Sequence, residues 1–231
     1  KKLKIGTKVI TVGNLPDELT GSVIPPIYQT STFAQSKPGE HKGYEYTRSH
    51  NPTRTRLEEC LASLENAEKC LVTSSGMAAC TLIFQSLPQG SKILCGDDVY
   101  GGTYRLLNTI YNDRFQIKHI NTTDTESVKN ELNSFKPNLV WIESPTNPML
   151  QISDVKAICD EAHDVGAMVV VDNTFMSPYG QKPLNLGADI VMHSTTKYIG
   201  GHSDVLSGAL MVNDKKSADK ITLIQNTSGA L

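Results

Sequence analysis

The sequence predicts an α/β fold in which a mostly parallel sheet carries helices on both faces and follows an extended N-terminal arm. From Asn51 onward, short apolar runs alternate with segments of helical periodicity, which is typical of parallel sheets covered by helices. Residues 168–171 are wholly apolar and too few for a helix, so they fit a central strand buried on both faces. Residues 1–50 show little periodicity and are set apart as the arm.

The arm over residues 1–50 is rich in proline, glycine, serine, threonine and tyrosine. Pro25-Pro26 and Pro38-Gly39 interrupt any regular element. A segment of this composition cannot build a core of its own, so we expect it to lie on another part of the protein or to reach a neighbouring subunit. Residues 51–231 are expected to form one domain.

The elements of that domain follow in order along the chain. Short runs between turn signals predict strands at residues 70–73, 92–95, 116–120, 139–142, 168–171, 189–193 and 209–212. Apolar spacing and turn signals predict helices around residues 57–64, 76–87 and 102–111, one ending near residue 135, and one at 153–165. Thr123 and Glu126 would form the capping box of the fourth helix, and Gly166 would end the fifth.

Composition and charge exclude several classes of protein. The formal net charge is −2 with both signs interspersed, so neither a nucleic-acid patch nor an anionic membrane surface is predicted. No apolar run reaches the roughly eighteen residues of a membrane span. The N-terminus lacks the apolar core of a signal peptide.

The cysteines and histidines predict neither a disulfide frame nor a metal site. The five cysteines are odd in number, form no Cys-x-x-Cys pair and stand among apolar residues. We interpret them as buried free thiols of a cytoplasmic protein. The six histidines show no metal-ligand spacing.

A carboxylate and a lysine follow two of the predicted strands. Asp172 comes directly after the apolar strand at 168–171, where a buried charge needs a partner. A lone aspartate there is most simply a turn or helix cap, whereas its functional interpretation is a partner for a protonated pyridine nitrogen. Lys197 follows the strand at 189–193, between hydroxyl residues and a glycine pair. Most lysines are surface residues, but one at a strand end can become a covalent nucleophile if burial lowers its pKa.

Three further segments lie at predicted strand ends. Ser75 and Gly76 open a helix whose free N–H groups suit a phosphate, although many strand–helix turns carry such residues. Tyr100 is either a loop aromatic or a ring that stacks on a flat cofactor and moves a proton. Asn147 stands in a proline-rich turn that presents it for the turn itself or for a ligand. Because ligands of such sheets bind beyond the carboxyl ends of the strands, we expect these groups to converge with Lys197.

On these residues the sequence closely resembles the Cys/Met-metabolism family of pyridoxal-phosphate (PLP) enzymes. That family includes cystathionine γ-lyase, cystathionine γ-synthase, cystathionine β-lyase and methionine γ-lyase. The resemblance runs from about Gly21 to Leu231 and rests most on the strings Tyr44-Glu45-Tyr46-Thr47-Arg48 and Asn51-Pro52-Thr53-Arg54, and on residues 98–103, 144–148, 171–178 and 193–204. It implies the large domain of a type I PLP-dependent transferase, with PLP as the cofactor.

The resemblance also implies a role for each matching residue in the domain. Lys197 would bind the cofactor covalently and Asp172 would pair with its ring nitrogen. Tyr100 would stack on the ring and join Lys197 in catalysis, and Asn147 would contact the phenolic oxygen side. The residues that would hold the phosphate are Ser75, Gly76, Met77, Ser194 and Thr196.

The same resemblance implies that the arm contributes residues to the active site of a neighbouring subunit. Tyr46 and Arg48 would clamp the neighbour's phosphate, a contact to which the arginine fork is suited. Glu45 would meet the amino end of a cystathionine substrate, and Arg105 would touch the substrate. A closed dimer doubled into a homotetramer is expected. The family's smaller C-terminal domain, with the arginine that binds the substrate carboxylate, would be absent from this chain.

The implied activity is that of a cystathionine γ-lyase of trans-sulfuration and cysteine biosynthesis, which cleaves L-cystathionine to cysteine, 2-oxobutyrate and ammonia. Gly102 stands where methionine γ-lyases carry a cysteine, which argues against that branch. Glu45 gives the arm motif an acidic residue at a position where it resembles that of cystathionine γ-lyases. Cystathionine γ-synthase, which joins an O-acylated homoserine with cysteine, stays a close alternative. A catalytically inactive PLP-binding paralogue and an α/β nucleotide-binding module are alternatives of other classes, and the intact Lys197, Asp172 and Tyr100 argue against the former.

Overall fold

The computed structural model describes residues 3–231, and a seven-stranded sheet lies at its centre. The strands are β1 (Lys69–Thr73), β2 (Lys92–Gly96), β3 (Gln116–Ile120), β4 (Leu139–Glu143), β5 (Met168–Asp172), β6 (Ile190–His193) and β7 (Gly208–Val212). They lie side by side in the order β1-β7-β6-β5-β4-β2-β3. β7 is antiparallel to both of its neighbours, and the other adjacent pairs are parallel. The predicted, mostly parallel α/β sheet is therefore confirmed.

Every predicted strand is present, with small differences at the ends. Two of these differences matter for the site, because β4 extends to Glu143 and β5 extends to Asp172. The two carboxylates therefore belong to the strands themselves, and they stand opposite each other in the parallel ladder.

Helices cover the sheet on both faces. They are α1 (Ile5–Thr11), α2 (Pro52–Glu65), α3 (Gly76–Ser86), α4 (Gly101–Arg105), α5 (Thr125–Phe135), α6 (Val155–Asp164), α7 (Ser177–Gly180) and α8 (Lys215–Ser228). Side chains of the preceding residues cap several of them; Asn51, for example, accepts the Thr53 N–H at 2.8 Å and so pairs a donor that the first turn of α2 leaves free. Within residues 3–231, none of the helices combines the length and apolarity that crossing a membrane requires.

Several helical features differ from the prediction. α1 lies inside the segment predicted to be an irregular arm, and α8 was not predicted. The capping box assigned to Thr123 is wrong, because Asp124 caps α5 by accepting the Ser127 N–H at 3.1 Å. The helix predicted over 102–111 begins as α4 and continues as a π-helical turn, Leu106–Ile110.

Both faces of the sheet are buried. Along β5, Val170 faces a cluster that contains Phe84 and Trp141, whereas Val169 and Val171 face a second cluster with side chains of α5 and α6. All three valines are fully buried. Each such side chain stabilises the fold by roughly 1.5–3 kcal/mol relative to an exposed one. This two-sided burial explains the wholly apolar run in the sequence.

The arm is attached to the domain through α1, where Lys8 Nζ donates to the Ser63 carbonyl of α2 at 2.7 Å. After α1 the arm exposes large apolar side chains, among them Leu15, Leu19, Val23, Ile24 and Ile27. Contact of this surface with a neighbouring subunit stays a prediction. Lys1 and Lys2, the first residues of the predicted arm, lie outside the described residues.

Candidate active site

The carboxyl ends of β1, β2, β4, β5 and β6 open on one cavity of about 180 Å³. The antiparallel β7 brings its first residues to the same edge of the sheet. The predicted site residues that line the cavity are Ser75, Gly76, Met77, Tyr100, Asn147, Asp172, Ser194, Thr196 and Lys197. The topology thus brings together side chains that are far apart in the chain.

One end of the cavity is formed by two turns in direct contact. Ser75 caps α3 by accepting a backbone N–H at 3.1 Å, so the remaining free N–H groups of the first turn of α3 lie at this end. A Cβ atom on Gly76 would lie 2.8 Å from the Cβ of Ser194, which leaves no room for a side chain there. Thr196 Oγ1 accepts the Ser207 N–H at 3.0 Å and fixes the second turn. An exposed backbone at a helix N-terminus is a suitable place for a phosphate.

Two carboxyl groups form the floor of the cavity. Asp172 is 6% exposed and Glu143 is 5% exposed. Burial raises the pKa of Asp172, against the hydrogen bonds from the Thr174 hydroxyl and N–H and the charge of His193. Burial, and then the charge of Asp172, raises the pKa of Glu143 to about 8. A cation in the cavity would stabilise the ionised form of Asp172.

Tyr100 and Asn147 stand on two loops beside this floor. The Tyr100 N–H donates to Glu143 Oε2 at 2.8 Å. The carboxylate of Asp98 joins the two loops, because it accepts the hydroxyl of Thr146. Tyr100 is half-exposed and contributes to the lining of the cavity.

Lys197 lies on the turn that follows β6. Its N–H donates to the Ser194 carbonyl at 3.1 Å, and its carbonyl accepts the Gly201 N–H at 2.7 Å, so the backbone is held on both sides. It is the one lysine or arginine among the described residues that line the cavity. Lys197 thus lines the same cavity as the two loops and the floor.

Four predicted site residues lie away from this cavity. Tyr46 and Arg48 line a different pocket, where Arg48 donates to the carbonyl and side chain of Asn226. Glu45 is exposed on the arm, and Arg105 is exposed at the end of α4. A single chain does not bring these four side chains to the cavity. The sharing of Tyr46 and Arg48 with a neighbouring subunit stays a prediction.

Two buried acidic residues were missed by the sequence analysis. Glu143 stands directly after the apolar strand at 139–142, a position like that of Asp172, which could have marked it. Glu65, at the end of α2, lies 2.5 Å from Nε2 of His193, and both side chains are at most 1% exposed. No local pattern links these two residues, because they are far apart in the chain. Their contact joins α2 to β6 on the other side of the sheet from the cavity floor.

The residues present fit the PLP cofactor that the resemblance implies. Asp172 is a buried carboxylate, and burial of a carboxylate is costly unless a cation pairs with it. A protonated ring nitrogen would supply that cation. The close contact of Gly76 with Ser194 and the N-terminus of α3 suit the phosphate.

The described residues offer no comparable place for a metal ion. In residues 3–231, no three His, Cys, Asp or Glu side chains form a cluster that could hold one. The five cysteines are free thiols, and all except the half-buried Cys60 are buried, as the sequence predicted.

Comparison with known proteins gives matches along almost the whole chain. The family model described as Cys/Met metabolism PLP-dependent enzyme matches residues 6–231. A "probable cystathionine gamma-synthase" of Herpetosiphon aurantiacus is 49% identical over 228 residues, which are 97% of this chain and 70% of that protein. A cystathionine gamma-lyase of Dictyostelium discoideum is 48% identical over 232 residues, which are 99% of this chain and 59% of that protein.

Solved structures give the same result. The structure of cystathionine gamma synthase from Xanthomonas oryzae pv. oryzae, in complex with aminoacrylate and cysteine, superposes with a TM-score of 0.95 at 40% identity. The match covers 100% of this chain and 60% of that one. This chain therefore spans about three fifths of the length of several of the proteins that it matches.

Proposed function

This chain belongs to the family of PLP-dependent enzymes of cysteine and methionine metabolism, and from that premise we propose that the full-length protein is a cystathionine γ-lyase. It would cleave L-cystathionine to cysteine, 2-oxobutyrate and ammonia. The observation that carries the proposal is the cavity at the sheet edge, where Lys197, Asp172, Tyr100 and the turn at Gly76 converge.

We assign the cofactor to this cavity residue by residue. Ser75, Gly76, Met77, Ser194 and Thr196 would hold the phosphate. Asp172 would face the ring nitrogen, Tyr100 the ring face and Asn147 the phenolic oxygen, while Lys197 would form the covalent link. Bound PLP supplies an electron sink for the charge that develops when a proton leaves the substrate.

The protein's own groups would then carry protons. The amino group of Lys197, once displaced by the substrate amine, would take the proton from Cα and move protons further to activate Cβ. Asp172 would stay ionised beside the ring nitrogen and keep that nitrogen protonated, because a cationic partner favours the carboxylate. The phenol of Tyr100 would donate a proton to the departing sulfur.

The arm and the remainder of the protein would complete the site. Tyr46 and Arg48 would reach the phosphate of a neighbouring subunit in a dimer, doubled into a tetramer, and Glu45 and Arg105 would contact the substrate. The greater length of the matched proteins supports a further C-terminal domain, which would hold the substrate carboxylate.

Two features favour the γ-lyase over its relatives. Glu45 stands in the arm motif where the resemblance places it near the amino end of cystathionine. A Cβ atom on Gly102 would lie 2.4 Å from the ring of Tyr100 and 2.8 Å from the sulfur of Met77. The cysteine that methionine γ-lyases carry there would therefore displace Tyr100.

Cystathionine γ-synthase is the second candidate, because a relative with that name is as similar to this chain as the γ-lyase is. It would use the same early proton transfers and then join cysteine to the activated homoserine. A catalytically inactive PLP-binding paralogue is the third. Its site would be expected to have lost one of Lys197, Asp172 and Tyr100.

Separate assays with the two sets of substrates distinguish the γ-lyase from the γ-synthase. Purified full-length protein would be given L-cystathionine alone, and then an O-acylated homoserine with cysteine, each beside a Lys197→Ala control. We expect the higher kcat/KM for release of 2-oxobutyrate from cystathionine. A much higher kcat/KM for cystathionine formation would replace the γ-lyase by the γ-synthase. Cofactor binding with no turnover in either assay would support the inactive paralogue.

A further inference from the structure

Glu143 is a second buried carboxyl group on the floor of the cavity, and the proposed reaction gives it no role. It ends β4 and stands in register with Asp172, which ends the adjacent β5. Both side chains line the cavity, and both are at most 6% exposed. Two acids thus face the place where one ring nitrogen would lie.

The hydrogen bonds of Glu143 point to a positioning role. Its Oε2 accepts the N–H of Tyr100 at 2.8 Å, at the residue that precedes α4. The nearby backbone N–H of Asn147 favours the ionised form of this carboxyl group and so lowers its pKa. One carboxyl group therefore holds the Tyr100 loop, whose side chain would contact the cofactor ring, and lines the same cavity as Asn147.

The charges around Glu143 are mostly negative. The titratable groups that face it are Asp172 from β5, Asp98 and Tyr100 from the loop after β2, Cys95 from β2, Cys80 from α3 and Lys197 from the turn after β6. A single ring cation can offset one carboxylate, and the covalent link of the cofactor would consume the amino group of Lys197. A phosphate adds further negative charge, so a second buried carboxylate would be left without a cation.

On the basis of the proposed cofactor site, we propose that Glu143 is a positioning residue that acts as a neutral carboxylic acid. It anchors the Tyr100 loop to the floor and leaves Asp172 as the one anionic carboxylate beside the ring nitrogen. A protonated carboxyl group still has an oxygen that accepts the Tyr100 N–H, so the anchor does not need the charge.

The test compares Glu143→Gln, which keeps a neutral acceptor of similar shape, with Glu143→Ala, which removes it. Glu59→Ala, at an exposed position of α2, is the matched control. In cofactor-free full-length protein at pH 7, the infrared carbonyl band of protonated carboxylic acids should be weaker in both Glu143 variants than in wild type and control, by the contribution of one carboxyl group. Hydrogen exchange at the Tyr100 loop should be about tenfold faster in Glu143→Ala, as expected for a buried N–H that loses its acceptor. Glu143→Gln should restore most of the protection.

Cofactor affinity provides a second readout. We expect the Kd for PLP to rise about tenfold in Glu143→Ala, which corresponds to about 1.4 kcal/mol, and to recover to within about threefold of wild type in Glu143→Gln. An infrared band of the same intensity in Glu143→Gln as in wild type, or a glutamine variant as impaired as the alanine variant, would overturn the proposal. Failure of wild type to bind PLP would instead refute the proposed function, while the band and the exchange rates would still decide the role of Glu143.

Discussion

Gly76 at the start of α3 packs directly against Ser194, which follows β6, so that a Cβ atom on Gly76 would lie 2.8 Å from the Cβ of Ser194. The two turns follow β1 and β6, which are separated in the sheet by β7. Their contact closes one end of the cavity, and both turns carry residues that we assign to the phosphate.

Gly76→Ala should therefore weaken both cofactor binding and the fold. The added methyl group must displace Ser194 or the first turn of α3, and overpacking of this kind costs roughly 1–3 kcal/mol. Urea unfolding and PLP titration would measure the two effects. Gly6→Ala is the matched control, because no atom lies within 4 Å of a Cβ placed there. Equal stability and affinity in the two variants would contradict the contact.

Lys197→Ala should abolish the visible absorbance of covalently bound PLP, because Lys197 is the lysine on the described lining of the cavity. Absorbance spectra of the purified protein, before and after added PLP, would measure this. Lys216→Ala changes an exposed lysine on α8 and should leave the spectrum unaltered. The same absorbance in Lys197→Ala as in wild type would refute the assignment.

The stability of the cofactor-free protein should fall as the pH rises from about 4.5 to about 8. Burial raises the pKa of Glu143 from its ordinary 4.5 to about 8, so the folded state binds more protons than the unfolded state in this interval. Deprotonation then favours unfolding until the pH passes the folded-state pKa. Urea unfolding of wild type and Glu143→Gln across this range would isolate the contribution, since the glutamine does not titrate. Parallel curves for the two proteins would be inconsistent with the raised pKa.

Hybrid dimers would test whether the arm completes a neighbour's site. Arg48→Ala and Lys197→Ala subunits, each expected to be inactive alone, would be mixed and refolded together. One site of each hybrid would then contain both an intact Lys197 and a neighbour's intact Arg48, so part of the activity should return. Measured activity that stays at the level of the separate variants, in samples where hybrids are shown by mass, would exclude this sharing.

Most of the fold was predictable because its signals are local. The apolar run of β5 and the alternation of strands with helices are visible in any short window, and the family resemblance is confirmed by the match over residues 6–231. α8 was missed because its apolar residues are sparse; it buries Ala218 and Ile221 but leaves Leu223 exposed. α1 was missed because it has no buried residues that would give it an apolar pattern, and its contact with α2 includes the hydrogen bond of Lys8 to Ser63.

The site was predictable to the extent that its groups follow strands. Asp172 comes directly after an apolar run and Lys197 lies on the turn that follows the next strand, so the sheet topology brings them to one edge. The pairing of Glu143 with Asp172 depends on the order and register of β4 and β5, which no local pattern contains. The contact of Glu65 with His193 depends in the same way on the packing of α2 against β6.

The antiparallel strand β7 also sets an order of events during folding. β1 is an edge strand whose ladder is formed with β7, and Lys69 stands opposite Val212. β1 therefore joins the sheet only after the chain through residue 212 is available, and pairing across so long an interval slows folding. During synthesis on a ribosome, the turn after β1 emerges early. β1 has no partner strand in the sheet until β7 has been synthesised. With the phosphate assigned to the turn after β1, we expect capture of the cofactor to be a late step of folding, and a nascent chain that stops before β7 should not retain it.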